Sequence, residues 1–473
     1  MRASDARSIV HIENSYASGQ KKRPRGPRPI PAVLVAGNSK AVLQAPLVDL
    51  RAAATGFYLH YHLQTLEEVP NLSRGTSDDF RPIWTSSGRC QILDLAMSSM
   101  ALAVFSRTQQ HPPAAIEASR TYHQLLQLAR VTVCSLHERN IDVCLLAIFF
   151  MSRYEDFIHS PRPLSQNAPF STTLQSFSHH DGASAILKYW KYQLYHMQPV
   201  TNVIKHTRRG LIRSAVIRNL ALPEWMREGA FFGECGLELE YDCLVVQIVG
   251  VRQRLATLLK DGTDPHRISH ELISAAAELN KEAQDIDKAL QVWTSHFSAT
   301  WYHRRHTLST NLAFPTRDFY SPIVHSYSHP AYAGPWNQYY ATRMLINSTR
   351  LKILELVRPT LDSCANEQRL ECLSNMTIMT TGLASSLPFS LQRFKVAENP
   401  DLCSDGDLIT LSTNEDIRPF MASRTVWPLT IASSLRAVEV KQKSWFKFVL
   451  ARLGRVIGAG VLECAENDEW LQF

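Results

Sequence analysis

The sequence predicts an all-α protein in which a disordered basic arm, residues 1–45, precedes one large helical domain, residues 46–473. Two observations predict this fold class. From Pro46 onward, apolar side chains recur at the three-to-four-residue spacing of helices, with almost no alternating strand pattern. The chain has 473 residues, 45% of them hydrophobic, which is enough for a substantial core.

The basic arm is predicted from a short tract that contains five positive charges and no acid. Four prolines and a glycine interleave with these charges between residues 21 and 31, and this composition favours an extended, unfolded chain. The five basic residues are Lys21, Lys22, Arg23, Arg25 and Arg28. They are the candidate site residues of the chain, for nuclear import or for contact with phosphate groups.

Charge is concentrated in this arm rather than spread along the chain. Residues 1–40 hold eight Lys and Arg against two acids, and the whole chain has a net charge of +7, so the remainder carries only about +1. A nearly neutral body does not indicate a nucleic-acid channel. Three interpretations of the tract stay open: an import signal, an auxiliary DNA contact that does not read sequence, and a solvated linker.

The predicted helices follow one another from residue 47 to residue 465. In chain order they are residues 47–66, 88–106, 114–136, 141–158, 181–195, 204–220, 237–259, 265–297, 335–357, 367–387, 417–440 and 444–465. We expect long loops at residues 67–85, 159–179 and 388–416.

Two of these helices carry specific expectations. Asn140 is a candidate cap for the fourth helix, whose apolar run Val143–Met151 leaves no polar face and predicts a deep core position. The helix after Asp264 and Pro265 carries a heptad seam from Leu272 to Phe297. Its flanking positions lack the paired charges of a dimeric coiled coil, which favours packing inside the domain over self-association.

The cysteine pattern and the hydropathy of the sequence limit the cellular compartments in which we expect this chain. The nine cysteines are scattered without a Cys-x-x-Cys pair, which argues against a disulfide framework and favours a reducing compartment. The apolar runs are too short for a membrane span, and the start of the chain has no secretory signal pattern. We therefore expect no membrane partner.

Known enzyme motifs identify no catalytic residue in the sequence. The serine-hydrolase elbow, the P-loop and His-Glu-x-x-His are absent from the sequence. Asp78-Asp79 begins like an aspartate-rich magnesium motif but continues with Phe-Arg-Pro, so we interpret it as a polar loop. Gly454 to Gly460 resembles a nucleotide loop without a preceding strand, and small residues that let helices approach closely explain it better.

Histidines supply the remaining metal candidates. His303 and His306 are one helical turn apart and could share a face, whereas the neighbours His179 and His180, and the pair His60 and His62, point apart on a helix. No second carboxylate–histidine pair follows at a ligand-like interval. We predict ordinary polar or capping roles for these side chains, and no metal site or cofactor within this chain.

Three ordered segments match a family. Ser152-Arg-Tyr-Glu155 ends the buried helix, His179-His-Asp-Gly-Ala-Ser-Ala-Ile-Leu187 follows a loop, and His329-Pro-Ala-Tyr-Ala-Gly-Pro-Trp-Asn-Gln-Tyr-Tyr-Ala-Thr-Arg343 leads into a long helix. This series resembles the helical regulatory domain of fungal zinc-binuclear-cluster (Zn2Cys6) transcription factors, over roughly residues 47–465. The stretch after Leu187 continues Lys-Tyr-Trp-Lys-Tyr, without the Arg-Gly that often ends it in relatives.

The resemblance implies a nuclear transcription regulator, not an enzyme, that controls RNA polymerase II target genes such as a metabolic or secondary-metabolite gene set. Its partners would be the transcription machinery or co-regulators, with a homodimer also open. DNA would be contacted only weakly and non-specifically, through the basic arm.

The family's DNA-binding module holds two zinc ions with six cysteines, and no cysteine precedes Cys90 here. Residues 8–16 and the basic tract are similar to the linker that follows such a cluster. We expect either that an N-terminal piece is missing, through truncation or an incomplete gene model, or that the chain is a natural regulator without it. Zinc is expected only if that cluster exists.

Two other function classes stay open. One is a ligand-sensing or corepressor-like module that does not bind DNA, which the absence of the cysteine cluster favours. The other is an unrecognised all-α enzyme, which only the histidines favour.

Overall fold

Helices dominate the computed structural model, as the apolar spacing predicts. It describes residues 49–63, 90–159, 174–197, 199–261, 270–309, 313–356, 363–396, 409–467 and 470–473. The helices of these residues are α1 (Leu50–Tyr61), α2 (Gln91–Thr108), α3 (Pro112–Thr132), α4 (Ile141–Ile158), α5 (Ser176–Tyr189), α6 (Asn202–Arg218), α7 (Glu224–Arg227), α8 (Gly236–Asp261), α9 (His270–Ser295), α10 (Ala333–Leu356), α11 (Ser363–Ser390), α12 (Pro419–Ser434), α13 (Val440–Ile457) and α14 (Gly460–Glu463). The all-α fold class is therefore confirmed.

Two short antiparallel strand pairs accompany the helices. β1 (Arg304–Thr307) pairs with β2 (Ile323–Ser326), and β3 (Phe394–Val396) pairs with β4 (Ile409–Leu411). Each strand is three or four residues long, which is too short for an alternating pattern to stand out in the sequence. The second pair lies within the predicted loop at residues 388–416.

Helix α4 lies deep in the core, as its apolar run predicts. From Val143 to Met151 every side chain is buried or half-buried, because this segment packs against α2 on one side and α5 on another. The helix bounds match the prediction, but Asn140 does not cap the helix with its side chain. Its Oδ1 instead accepts a hydrogen bond from the backbone N–H of His137, at 2.9 Å.

The heptad seam of α9 packs inside the body of the chain, as its flanking residues predict. Seven of its eight predicted positions, from Ala276 to Phe297, are buried. They face α10, a helix with buried side chains along most of its length. Between the two helices Asp287 accepts two hydrogen bonds from Arg343, both at 2.8 Å, and one from Asn347 at 2.7 Å. The predicted N-cap, Asp264, and Pro265 lie outside the described residues.

The predicted helix at residues 417–440 is wrong at its end, because the chain breaks after Ser434. Leu435 is extended, and Glu439 starts a new helix by accepting hydrogen bonds from the backbone N–H groups of Lys441 and Gln442, both at 3.0 Å. A carboxylate at this position satisfies backbone donors that no helical carbonyl can reach.

Glycines allow the last helices to pack closely against neighbouring segments. α13 packs against α2, and α14 packs against α4. A Cβ on Gly454 would lie 2.9 Å from the backbone nitrogen of Glu463, and a Cβ on Gly460 would lie 1.9 Å from the backbone oxygen of His159. Close helix approach is therefore confirmed as the role of these glycines. Residues 49–473 form one compact unit around a continuous core.

Candidate ligand-binding cleft

A basic side chain bridges two helices that are not packed closely against each other. Arg213 on α6 extends to α12, where its guanidinium carbon lies 5.6 Å from the centroid of the Trp427 ring. This distance is in the range of a cation–π contact. We call this group of side chains, Arg153, Arg209, Arg213, Tyr241 and Trp427, the arginine cluster.

Arg213 is both exposed to solvent and surrounded by protein. Its side chain is exposed, yet burial lowers the pKa of its guanidinium, and the positive charges of Arg209 and Arg153 lower this pKa further. Among the described residues Arg213 forms no hydrogen bond or ion pair. Its charge is thus only weakly compensated.

Two other cations of α6 have acidic partners, whereas Arg213 has none among the described residues. Lys205, Arg209 and Arg213 follow one another at four-residue spacing, so they lie on one face of the helix. Lys205 donates to Glu238 at 2.8 Å, and Arg209 binds both Glu238 and Glu234, at 2.7 Å each. The acids of α8 and the loop before it therefore neutralise the first two cations, and no described acid reaches the third.

A buried ion pair fixes the position of α6. Arg208 donates to both carboxylate oxygens of Asp242 on α8, at 2.7 and 2.9 Å, and donates to the carbonyl of Met226 at 2.8 Å. Both side chains of this pair are buried. Since a paired and hydrogen-bonded buried charge cannot move without losing its partners, the α6 backbone that carries Arg213 is held firmly.

Arg153 contributes a second unpaired cation from α4. Its guanidinium lies 5.3 Å from the Phe149 ring, its side chain is exposed, and it forms no ion pair with a described residue. Asp156, one helical turn away, interacts with Arg153 electrostatically but forms its hydrogen bond with Ser176. The positive charge of Arg153 contributes to lowering the pKa of Arg213.

Tyr241 is the polar aromatic member of the arginine cluster. Tyr241 on α8 is half-buried and shares a 2.7 Å hydrogen bond with the hydroxyl of Thr342 on α10. Its ring also packs against Trp293, with centroids 4.8 Å apart. Burial raises the pKa of Tyr241.

The histidine candidates have structural partners. His180 lies between two serine hydroxyls, Ser152 at 3.0 Å and Ser214 at 2.9 Å, and joins α4, α5 and α6. His179 lies 2.8 Å from the Tyr122 hydroxyl, which donates to Glu155 at 2.7 Å. The two rings therefore point apart, as adjacent helical positions predict.

The helical interpretation of His303 and His306 is wrong. His306 lies on β1 and His303 just before it, and the strand pairing brings in His325 from β2. The rings of His303 and His325 stack with centroids 3.9 Å apart, whereas His306 bonds to the Ser326 hydroxyl at 2.7 Å. Stacked rings cannot direct their nitrogens at one ion. No group of three or more potential ligand side chains is arranged to hold a metal within the described part of the chain.

The arginine cluster contains none of the predicted site residues. Lys21, Lys22, Arg23, Arg25 and Arg28 lie outside the described residues, as does Asp78-Asp79. The cluster was not predicted from the sequence. Its one visible signal is the four-residue spacing of Lys205, Arg209 and Arg213. The absence of a described acid beside Arg213 depends on how α6 packs against α8.

Comparisons with family models, with curated proteins and with solved structures found no match for this chain. None of the described helices combines the length and the apolar character needed to cross a lipid bilayer.

Proposed function

We propose that this chain is a nuclear transcription regulator of the fungal zinc-cluster type, whose helical body is its regulatory domain. The observation that carries the proposal is the position of the segments that resemble this family. Tyr154, Ile186 and Trp336, one from each segment, belong to the same buried core of an all-α body. The resemblance therefore involves the residues that build the fold rather than isolated surface matches.

The same segments also contribute to two internal polar contacts of the body. Glu155 joins His179 through the Tyr122 hydroxyl, and Arg343 closes the buried cluster around Asp287. A body built in this way presents regulatory surfaces to co-regulators or to the transcription machinery. Nuclear import is assigned to the basic tract of the arm.

Nuclear import tests this proposal in cells. Changing Lys21, Lys22, Arg23 and Arg25 to Ala removes four of the five charges of the tract, so a fluorescent fusion of the full chain should move from nucleus to cytoplasm. A matched control changes Lys441, Lys443 and Lys447 on α13 and Arg130 on α3 to Ala, which removes the same charge from the helical body. Nuclear accumulation that the tract changes leave intact, or a wild-type fusion that stays cytoplasmic, would contradict the import role.

A second candidate is a ligand-sensing module that does not bind DNA. The observation that favours it is the arginine cluster, because Arg213 and Arg153 lie over aromatic rings without an ion pair to a described residue, and exposed cations suit a small anionic effector. The two candidates differ in whether the chain is found at promoters, which chromatin crosslinking of a tagged chain measures.

A further inference from the structure

We propose that Thr307 on β1 is a phosphorylation site for a protein kinase that selects arginine two and three residues before the hydroxyl group. The arginines at these two positions are Arg305 and Arg304. The inference does not depend on the function proposed above, because it concerns the chemistry of one exposed strand.

The sequence places two positive charges directly before the Thr307 hydroxyl. The segment reads Arg304-Arg-His-Thr-Leu308, and the other Arg-Arg pair of the chain, at residues 208–209, has no hydroxyl side chain at the same interval. Kinases discriminate among substrates by such charge patterns, because a guanidinium group forms paired hydrogen bonds with the carboxylates of the kinase. The segment therefore has the charge pattern of a substrate for an arginine-selecting kinase.

The structure exposes the three side chains that such a kinase would contact. Arg304, Arg305 and Thr307 are exposed, whereas His306 and Leu308 are buried and hold the strand in place. None of the three exposed side chains forms a hydrogen bond or an ion pair with a described residue. The two charges and the hydroxyl group are thus open to a partner protein.

Backbone pairing leaves Arg305 and Thr307 on the open edge of β1. Leu308 donates its backbone N–H to the carbonyl of Pro322 at 2.8 Å, in the antiparallel register that places Thr307 opposite Ile323. Backbone groups of an antiparallel strand alternate between facing the partner strand and facing away, so those of Arg305 and Thr307 face away from β2. Among the described residues β1 pairs with β2 alone. The segment is therefore extended and open along one edge, as in peptides that are recognised in extended form.

The hairpin can accommodate a phosphate group without charge repulsion. β1 and β2 contain two arginines and no Asp or Glu. Arg305 lies two residues before Thr307, so both side chains lie on the same face of the strand, where a guanidinium group can donate to phosphate oxygens. The phosphate adds a charge of about −1.5 to −2 at neutral pH. This charge offsets the excess of positive charge on the hairpin.

The reaction is a phosphoryl transfer from the Mg-ATP that the kinase binds. The γ-phosphorus forms a bond with Thr307 Oγ1, and its bond to the oxygen that bridges the β- and γ-phosphates breaks. The hydroxyl proton passes to the catalytic aspartate of the kinase, and ADP is released.

Phosphate incorporation into the purified, folded full chain tests this inference. The chain is incubated with Mg-ATP and the catalytic subunit of cyclic-AMP-dependent protein kinase, which selects arginine at these two positions, and mass spectrometry maps the modified residues. We expect phosphate on Thr307. Arg304→Gln and Arg305→Gln should each slow its incorporation by at least about 10-fold, because each removes a charged hydrogen-bond donor.

An exposed threonine elsewhere provides the matched control. Thr377 lies on the helix α11 and follows Ser374 and Asn375 at the positions of the two arginines. Thr377 should stay unmodified, and Thr377→Ala should leave the rate at Thr307 unchanged. Thr307→Ala should remove phosphate from the peptide that contains β1. Every variant changes an exposed side chain, and a melting temperature equal to that of the wild type verifies that it is folded.

Three results would overturn the inference. One is that the folded full chain acquires no phosphate on Thr307. Another is that phosphate is found in its place on Ser309, which has no arginine at the two selected positions. The third is that Arg304→Gln and Arg305→Gln are modified as fast as the wild type, which would show that the kinase does not use the two arginines.

Discussion

At the scale of single residues, the buried surroundings of three histidines keep their side chains neutral. His180 is held between Ser152 and Ser214, His62 stacks on Tyr58 with centroids 4.9 Å apart, and His325 stacks on His303. Burial lowers the pKa of His62 and of His180 to about 4, and that of His325 to about 3. The folded chain therefore keeps these imidazoles uncharged at pH values where the unfolded chain protonates them.

Acid should destabilise the fold through these residues. In the unfolded chain histidine titrates near pH 6.5, so their contribution to stability is complete above that pH and is lost as pH falls toward the folded pKa values. Within that pH window, each of these histidines should lower the free energy of unfolding by as much as about 1.4 kcal/mol per pH unit. Urea unfolding at pH 7.5, 6.0 and 5.0 measures the slope.

Substitution of single histidines identifies the residue that causes the pH dependence of the unfolding free energy. His180→Asn lowers stability at every pH through its lost contacts, but it should also flatten the pH dependence. His123→Asn, which changes an exposed histidine of α3, should leave the slope as it is. Equal slopes in the wild type and in His180→Asn would contradict this account of His180.

At the scale of elements, Gly454 and Gly460 lie at helix contacts that leave no room for a side chain. Gly460→Ala places a methyl group against the backbone of His159, which cannot give way as a flexible side chain can. We expect a loss of about 1–3 kcal/mol in the free energy of unfolding, or more where α14 is displaced from α4. Chemical denaturation measures it.

A second glycine provides the matched control. Gly250 lies inside α8, and a Cβ there would meet no atom within 4 Å. Gly250→Ala should therefore raise the free energy of unfolding by roughly 0.5–1 kcal/mol, because alanine favours the helix. If both changes shift stability by the same amount and sign, close helix packing does not explain Gly460.

These elements also show what a sequence can and cannot predict. The seam of α9 and the core position of α4 were predictable because both follow from the local spacing of apolar residues. The break at Leu435 was missed because the helix that follows it depends on one capping carboxylate, Glu439. The arginine cluster was not predicted because the pairing of charges on α6 depends on acids from other segments.

At the scale of the whole molecule, the proposed function assigns regulation to one helical body. Residues 49–473 form one compact unit, in which α13 packs on α2 and α14 packs on α4. A change that weakens this junction should therefore lower the stability of the entire body. Under the proposed function, loss of folding should abolish any effect of the chain on transcription.

A tethered reporter assay tests this central claim most directly. The full chain is fused to an unrelated DNA-binding domain whose site precedes an RNA polymerase II reporter gene in a fungal host. We predict that the fusion raises or lowers transcription several-fold relative to the DNA-binding domain alone, that Gly250→Ala keeps the effect and that Gly460→Ala reduces it. A fusion that is expressed, nuclear and bound to its site, yet gives the same transcription as the DNA-binding domain alone, would contradict the account.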